Sequence, residues 1–318
     1  MCIFVENKNI MTLQQLEYII AVDRFRHFGN AADYCNVTQP TLSAMIQKLE
    51  DELGIKIFDR RMHPLVPTQI GQIVLEQAKK AIFSSMRIKD IVNEQQNSVD
   101  STFNLGIIPT IAPYLIPRFF PQMINKHPEM DVRITEMKTE DIKKALRHGD
   151  IDAGIVADLD GMDDFEKTEL YYEELFVYVS PNNKLINNET IKDKDLNGEF
   201  LWLLGEGHCL SKQMEKFCHL KHAAISERAY RLGSIETFMH IVEGGRGVTF
   251  IPELAATQLT DNKRKLVRQF AIPSPTRNII IITTNSFIRN TILQLITESI
   301  KKSIPADMLK LKPHQQQV

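Results

Sequence analysis

Apolar residues recur at helical spacing through the first fifth of the chain. One helix is predicted from Leu13, and a short second helix over residues 31–35. Thr38 is a good N-cap for a third helix, which ends at Gly54. Two helices joined by a tight turn predict a helix-turn-helix, with a common structural corner as the alternative. The apolar face of the third helix consists of Leu42, Ile46, Leu49 and Leu53.

The other face of the third helix carries polar side chains of the kinds that reach base edges and phosphates in a major groove. The segment that follows, residues 55–68, predicts a β-wing whose two arginines contact the phosphate backbone. Acidic residues 50–52 are expected to face away from DNA. The candidate DNA-binding residues are Thr38, Gln39, Pro40, Thr41, Ser43, Gln47, Lys48, Arg60, Arg61 and Thr68.

Residues 69–97 contain a single glycine and no proline, and they predict one long helix. Its near-heptad apolar stripe is expected to pack against its twin in a dimer, and the alternative is packing on its own domain. A polar break at 97–101 predicts a hinge, and residues 1–10 are interpreted as an extension. The stripe consists of Val74, Ala78, Ala81, Ser85, Ile88 and Val92.

Beyond residue 101 the pattern changes to alternating strands and helices, which predicts mainly parallel sheets with helices on both faces. Ligands in such folds gather at the carboxyl ends of strands, and Thr110 offers a hydroxyl there. His314–Val318 is expected to be a loose tail. Strands are predicted at 103–108, 132–136, 153–157, 176–180, 200–204, 248–251 and 279–284, and helices at 112–125, 140–148, 235–243 and 288–302.

The composition, 43% hydrophobic and 25% charged over 318 residues, is that of an ordinary globular protein of about two domains. No run of 18 apolar residues and no signal-peptide pattern occurs, so we expect a cytoplasmic protein without a membrane partner. The net charge of −2 gives no support for nucleic-acid binding. Any DNA-binding function therefore depends on the local motif.

Two of the four cysteines, Cys209 and Cys218, flank a short helix predicted to begin with Ser211 as its N-cap. That helix holds its ends about 10 Å apart, whereas a disulfide needs Cα atoms within about 7 Å. Cys209 lies near the positive end of the helix dipole, beside His208, so it is the better nucleophile and Cys218 the better resolving thiol. The alternative is that both are small buried hydrophobic residues.

These motifs together resemble those of LysR-type transcription regulators. The resemblance is carried by Ala31-Ala32, residues 37–43, Leu53-Gly54 and Phe58 in the first part of the chain, and by Gly247-Val248-Thr249 near the other end. Within that family, residues 205–210, 217–218 and 106–110 resemble those of peroxide-sensing members.

The resemblance implies an α/β fold class with an all-α, winged N-terminal domain. The implied domains are a winged helix-turn-helix at 11–67, a linker helix at 68–97 and an effector domain at 98–318. The effector domain would have two periplasmic-binding-protein-like subdomains, I at about 98–171 with 277–305 and II at about 172–276. A homodimer or a dimer of dimers is expected.

The resemblance also implies the chemistry: Cys209 as peroxidatic thiol, Cys218 as its resolving partner, and Thr110, Thr139 and His208 around the peroxide or the reactive sulfur. The implied partners are operator DNA and hydrogen peroxide, with RNA polymerase as a further candidate. No cofactor and no metal are implied.

Three other functions fit parts of the pattern. A regulator of the same architecture could bind a small metabolite while its cysteines are merely buried. A thiol peroxidase also needs a peroxidatic and a resolving cysteine, although about a quarter of this chain predicts a DNA reader and a dimer helix. A solute-binding protein fits only the second half.

Overall fold

The computed structural model describes residues 11–95, 99, 101–205, 209–218, 224–225 and 234–318; for a few of them, including Cys209, it describes the backbone alone. The chain divides into two compact units, one reaching Val92 and the other taking in nearly all residues from Asn93. No helix in these described ranges has the length and apolar character needed to cross a bilayer.

The first unit is a helix-turn-helix with a wing, as predicted. Leu42 and Ile46 on its third helix are fully buried. The second helix begins at Phe28, earlier than predicted, because the His27 ring accepts the N–H groups of Gly29 and Asn30. The elements are α1 Leu13–Phe25, α2 Phe28–Tyr34, α3 Gln39–Leu53, β1 Phe58–Asp59, β2 Val66–Pro67 and α4 Gln69–Gln95.

The predicted dimer stripe on helix α4 has two parts that differ in burial. Ala78 and its neighbours Leu75 and Ile82 are buried in the core of the first unit. Ile88 and Val92, further along the helix, are at least half exposed. In the described part of the chain, the first half of the helix therefore packs on its own domain through Leu75, Ala78 and Ile82, and the apolar residues of the second half are exposed.

The second unit alternates strands and helices. Its helices are α5 Ala112–Lys126, α6 Thr139–His148, α7 Cys209–Phe217, α8 Ile235–Glu243, α9 Glu253–Thr257, α10 Asp261–Arg264 and α11 Asn290–Ser303. Its strands are β3 Thr102–Ile107, β4 Asp131–Glu136, β5 Ala153–Ala157, β6 Phe165–Val179, β7 Thr190–Ile191, β8 Phe200–Trp202, β9 Ala224–Ile225, β10 Val248–Pro252, β11 Val267–Phe270, β12 Ser274–Thr284 and β13 Gln315–Gln317.

The sheet is mixed rather than mainly parallel. Its strand order is β4-β3-β5-β12-β6-β10-β8-β9. The two long strands β6 and β12 run antiparallel, from Thr276 opposite Glu174 to Thr284 opposite Phe165. Strand β6 is also antiparallel to β10, and β12 is also antiparallel to β5. The parallel pairing of β3 with β4 matters most for the site, because it brings their carboxyl ends to one edge.

The prediction of a loose tail at His314–Val318 is wrong. Residues Gln315–Gln317 form β13, which pairs in parallel with the first residues of β12. The Ser274 N–H donates to the His314 carbonyl at 2.8 Å, and the Val318 N–H donates to the Thr276 carbonyl at 3.1 Å. The polar sequence concealed the strand because backbone pairing at a sheet edge needs no apolar side chains.

Candidate functional site

The start of helix α3 presents a polar, exposed surface. The Thr38 hydroxyl accepts the Thr41 N–H at 3.4 Å, and the two hydroxyls are 2.8 Å apart. Thr38, Gln39, Pro40, Thr41 and Lys48 are exposed, whereas Ser43 and Gln47 are half-buried. Gln47 donates to Asp51 at 2.7 Å. The predicted base-reading residues therefore share one helix and leave its apolar face to the core.

Glu50 joins helix α3 to the wing. It is buried, and its Oε1 accepts the N–H groups of Ile57 and Phe58 at 2.8 and 3.4 Å. Its Oε2 lies 3.2 Å from Lys56 Nζ and 3.5 Å from Arg60 Nη2. The sequence predicted only that Glu50 faces away from DNA. The structure shows that the carboxylate satisfies buried backbone donors.

The wing carries the other predicted phosphate contacts. Arg60 lies over the Phe28 ring, 5.4 Å from its centroid. Arg61 is exposed and paired with Asp59 at 3.1 Å, a contact that lowers the pKa of Asp59. The Thr68 hydroxyl accepts the Gly71 N–H at 3.0 Å and donates to the Lys56 carbonyl at 2.6 Å, so Thr68 caps α4.

The helix between the two cysteines begins at Cys209, two residues before the predicted N-cap. Ser211 therefore lies inside α7, and the prediction that it caps the helix is wrong. The Cys218 N–H donates to the Met214 carbonyl at 2.9 Å, so helical bonding reaches the second cysteine. Nine helical steps separate the two Cα atoms by about 13 Å. That span exceeds disulfide reach by a wider margin than the sequence suggested.

Cys218 is a free thiol, only 2% exposed. Burial, with a smaller contribution from the negative charge of Asp193, raises its pKa to about 12. It is therefore protonated at neutral pH and a weak nucleophile while it remains buried. The predicted role of His208 falls on a residue outside the described part of the chain.

Thr110 and Thr139 follow the carboxyl ends of two neighbouring parallel strands. Ile107, the last residue of β3, pairs with Glu136, the last residue of β4. Both threonines are buried, at 3% and 4% exposed. Thr139 is the first residue of α6. Thr110, which the sequence proposed, and Thr139, which the resemblance implied, thus follow the same sheet edge.

The sequence reading missed Arg277, which holds Thr110. Arg277 is fully buried on β12 and donates to the Thr110 hydroxyl at 3.1 Å and to Glu173 Oε1 at 2.6 Å. Burial raises the pKa of Glu173, and Arg277 opposes that shift. A charged residue inside the apolar strand pattern at 274–284, with another at 173, was the signal available in the sequence.

A cavity of about 640 Å³ lies beside helix α7. Thr139, Asp158, Lys167, Gln213 and Val318 are among its lining residues, and Lys167 pairs with Asp158 at 2.8 Å. Gln213 lies midway between the two cysteines, so helix α7 forms part of the cavity wall. In the described part of the chain, no three His, Cys, Asp or Glu side chains are grouped to hold a metal ion.

Comparisons with known proteins place the whole chain in one family. Residues 13–72 match the model of the bacterial regulatory helix-turn-helix protein, lysR family, and residues 96–302 match the LysR substrate binding domain. A hydrogen peroxide-inducible genes activator from Dickeya chrysanthemi is 32% identical over 302 residues, which cover 95% of this chain and 98% of that protein. The DNA-binding transcriptional dual regulator OxyR of Escherichia coli is 33% identical over 245 residues, covering 77% of this chain and 80% of that one.

Solved structures of similar proteins agree with this family assignment. A full-length OxyR variant from Pseudomonas aeruginosa matches with a TM-score of 0.75 at 32% identity, covering 92% of this chain and 98% of the other. A mutant OxyR from Porphyromonas gingivalis matches with a TM-score of 0.65 at 35% identity, covering 69% of this chain and all of that one.

Proposed function

Because this chain belongs to the LysR family of DNA-binding transcription regulators, we propose that it senses hydrogen peroxide through a disulfide between Cys209 and Cys218. The matched families and relatives are regulators and not enzymes. The names of the relatives support peroxide as the signal. Double-stranded operator DNA is the proposed target, with RNA polymerase as a further partner and a dimer or dimer of dimers as the active assembly.

The observation that carries the proposal is the unequal placement of the two cysteines on α7. Cys209 is the first residue of the helix, where the dipole favours a thiolate. Cys218 is a buried, protonated thiol just beyond the other end. One residue is therefore placed to attack peroxide and the other to complete the disulfide.

The proposed reaction has two steps. The Cys209 thiolate attacks one peroxide oxygen, which forms a sulfenic acid and releases hydroxide. The Cys218 sulfur then displaces the sulfenic hydroxyl, which leaves as water with the Cys218 thiol proton. The proton that Cys209 released when its thiolate formed neutralises the hydroxide. Two thiols are oxidised to one disulfide, and one peroxide is reduced to two waters. We assign Thr110, Thr139 and His208 to hydrogen bonding around the peroxide and the reactive sulfur.

Forming the disulfide requires α7 to unwind, because its ends are about 13 Å apart while it is helical. The sulfur chemistry is thereby coupled to a change of backbone in the effector domain. Such a change can alter how two copies of the DNA-binding unit are presented to an operator.

The decisive experiment is a peptide map of the protein after brief exposure to low-micromolar peroxide, together with DNA footprinting. We expect a Cys209–Cys218 crosslink and a changed footprint in the wild type, and neither in Cys209→Ser. Cys35→Ser is the matched control, because Cys35 is a free cysteine in the other unit. A Cys209→Ser protein whose footprint still responds to peroxide would refute the redox switch.

The cavity beside α7 favours one competing function, a regulator that binds a small metabolite. Its volume of about 640 Å³ lies within the usual range for small-molecule sites. Thiol counting separates the two hypotheses, because only the redox switch predicts that two free thiols disappear on exposure to peroxide.

A further inference from the structure

The C-terminal residues connect the central sheet to the switch helix. We call residues His314–Val318 the C-terminal clasp. Its strand β13 pairs with β12, and the Val318 N–H donates to Thr276. The main-chain oxygen of Val318 accepts a hydrogen bond from Gln213 Nε2 at 2.7 Å. Gln213 is the fifth residue of α7, so the clasp contacts the helix midway between the two cysteines.

The other end of the clasp is fixed to strand β6. Glu174 Oε1 accepts a hydrogen bond from Gln315 Nε2 at 2.9 Å and lies the same distance from His314 Nε2. Glu174 is buried, at 7% exposed. Besides its backbone pairing with β12, the clasp therefore has two side-chain attachments, one to strand β6 and one to the helix that must unwind.

The contact with α7 exists only while that helix is formed around a buried Gln213. The Gln213 side chain is 3% exposed, and among the described residues its Oε1 has no hydrogen-bond partner. Unwinding α7 to join the cysteines displaces residue 213 and breaks the bond to Val318. A contact made in one of two states shifts their equilibrium by its full differential free energy.

We propose that the C-terminal clasp stabilises the dithiol state of the switch and so sets how readily the disulfide forms, with Gln213 as its positioning residue. This inference rests on the proposed Cys209–Cys218 disulfide. In this proposal the clasp acts through helix α7 and contacts neither the peroxide nor the reacting sulfur.

The test is a redox titration of the full chain against glutathione. At equilibrium, the dithiol protein reacts with one glutathione disulfide to give the disulfide protein and two molecules of reduced glutathione. Alkylation and mass spectrometry give the two protein fractions. In Gln213→Leu the clasp contact is lost, and we expect the equilibrium constant for disulfide formation to rise about fivefold. That change moves the midpoint potential about 20 mV more negative.

A second variant acts from the opposite end. Glu174→Ala leaves α7 untouched and releases the clasp from β6, so it should shift the equilibrium in the same direction. The two effects should be less than additive in the double variant, because both act through one contact. Gln258→Leu is the matched control, since Gln258 donates to the Tyr114 carbonyl at 3.1 Å away from α7. It should leave the midpoint unchanged.

The outcomes separate the two proposals. If the wild type forms no Cys209–Cys218 disulfide, the proposed function itself fails. If the wild type forms it and both variants keep the wild-type midpoint, only the clasp is refuted. The clasp proposal is also overturned if the midpoint potential shifts in Gln213→Leu but not in Glu174→Ala. It is overturned as well if either variant shifts the equilibrium toward the dithiol.

Discussion

Among the described residues, Arg277 has the largest side chain that is fully buried. Its guanidinium contacts Glu173 at 2.6 Å and the Thr110 hydroxyl at 3.1 Å. Removing water from two charges is costly, and their mutual attraction offsets this only while both are present. The pair therefore fixes the position of Thr110, and each charge depends on the other.

We expect Arg277→Met to lower the free energy of unfolding by about 3–5 kcal/mol, because it leaves Glu173 as an uncompensated buried charge. The double variant with Glu173→Leu should recover most of that loss. Urea unfolding measures both. The matched control is Arg133→Met, whose solvent-exposed pair with Asp131 at 2.8 Å should contribute far less to stability. Equal losses in the two arginine variants would contradict the argument.

The Cys218 thiol should react unusually slowly with alkylating reagents. With a pKa of about 12, only about one molecule in ten thousand carries a thiolate at pH 8. Iodoacetamide should label Cys35, which is half-exposed, at least about a hundredfold faster than Cys218. The labelling rate should keep rising above about pH 10, where a thiol of ordinary pKa has reached its plateau. Peptide mapping against time at each pH measures it.

The raised pKa of Cys218 also makes the stability of the protein depend on pH. Because the folded value lies above the unfolded one, the folded chain binds more protons between about pH 8.5 and the pKa of about 12. Cys218 therefore adds stability that is fully present below that range and is lost as the pH rises through it. A Cys218→Ser protein should lose less stability across this range than the wild type, and equal pH dependence would contradict the raised pKa.

Helix α3 and the wing depend on one carboxylate, that of Glu50. Glu50→Ala leaves the N–H groups of Ile57 and Phe58 without their acceptor and frees Arg60. We expect the first unit to lose about 2–4 kcal/mol of stability and operator affinity to fall because the wing is no longer held. Thermal unfolding and fluorescence anisotropy with DNA measure the two effects.

Asp51→Ala is the control for Glu50→Ala on the same turn of helix. Asp51 is exposed and lies 3.7 Å from Lys56, so its loss should change stability by less than about 0.5 kcal/mol. If both variants behave alike, the burial of Glu50 has no special role.

The periodicity of the sequence was sufficient to predict elements whose own side chains determine their burial. Helix α3 has its apolar residues on the buried face, and strand β5 and helix α8 have the predicted bounds. Strand β13 could not be found this way, since its Gln-Gln-Gln segment is ordered by backbone bonds to β12, far away in sequence. The mixed sheet was missed for the same reason, because strand direction depends on long-range pairing.

Thr110, Cys209 and Cys218 could be proposed as site residues because their types and neighbours suggest the chemistry. Arg277 and Gln213 could not, because their roles depend on partners about 170 and 105 residues away. A residue that acts by holding another one leaves little trace in its own sequence neighbourhood. Three-dimensional contacts were needed to find both.

At the scale of the whole molecule, the second half of α4 carries a cluster of exposed apolar side chains. Ile88, Ile91 and Val92 are each at least half exposed, although they are large apolar residues on one helix. Clustered exposed apolar residues are typical of interaction surfaces. The second half of the helix therefore remains the predicted dimer contact, and the first half anchors it to the DNA-binding unit.

Ile88→Glu with Val92→Glu should separate the copies, because a charge buried in an apolar interface is strongly unfavourable. Analytical ultracentrifugation should show a monomer at micromolar concentration, and operator affinity should fall about a hundredfold as the paired half-sites are lost. Ile272→Glu is the control, because it adds the same charge at an exposed apolar residue outside α4. The Cys209–Cys218 crosslink should still form in the monomer, because the sulfur chemistry is local to α7 and its clasp. A dimer that persists, or a monomer that binds operator as tightly as the wild type, would contradict the assignment of this surface.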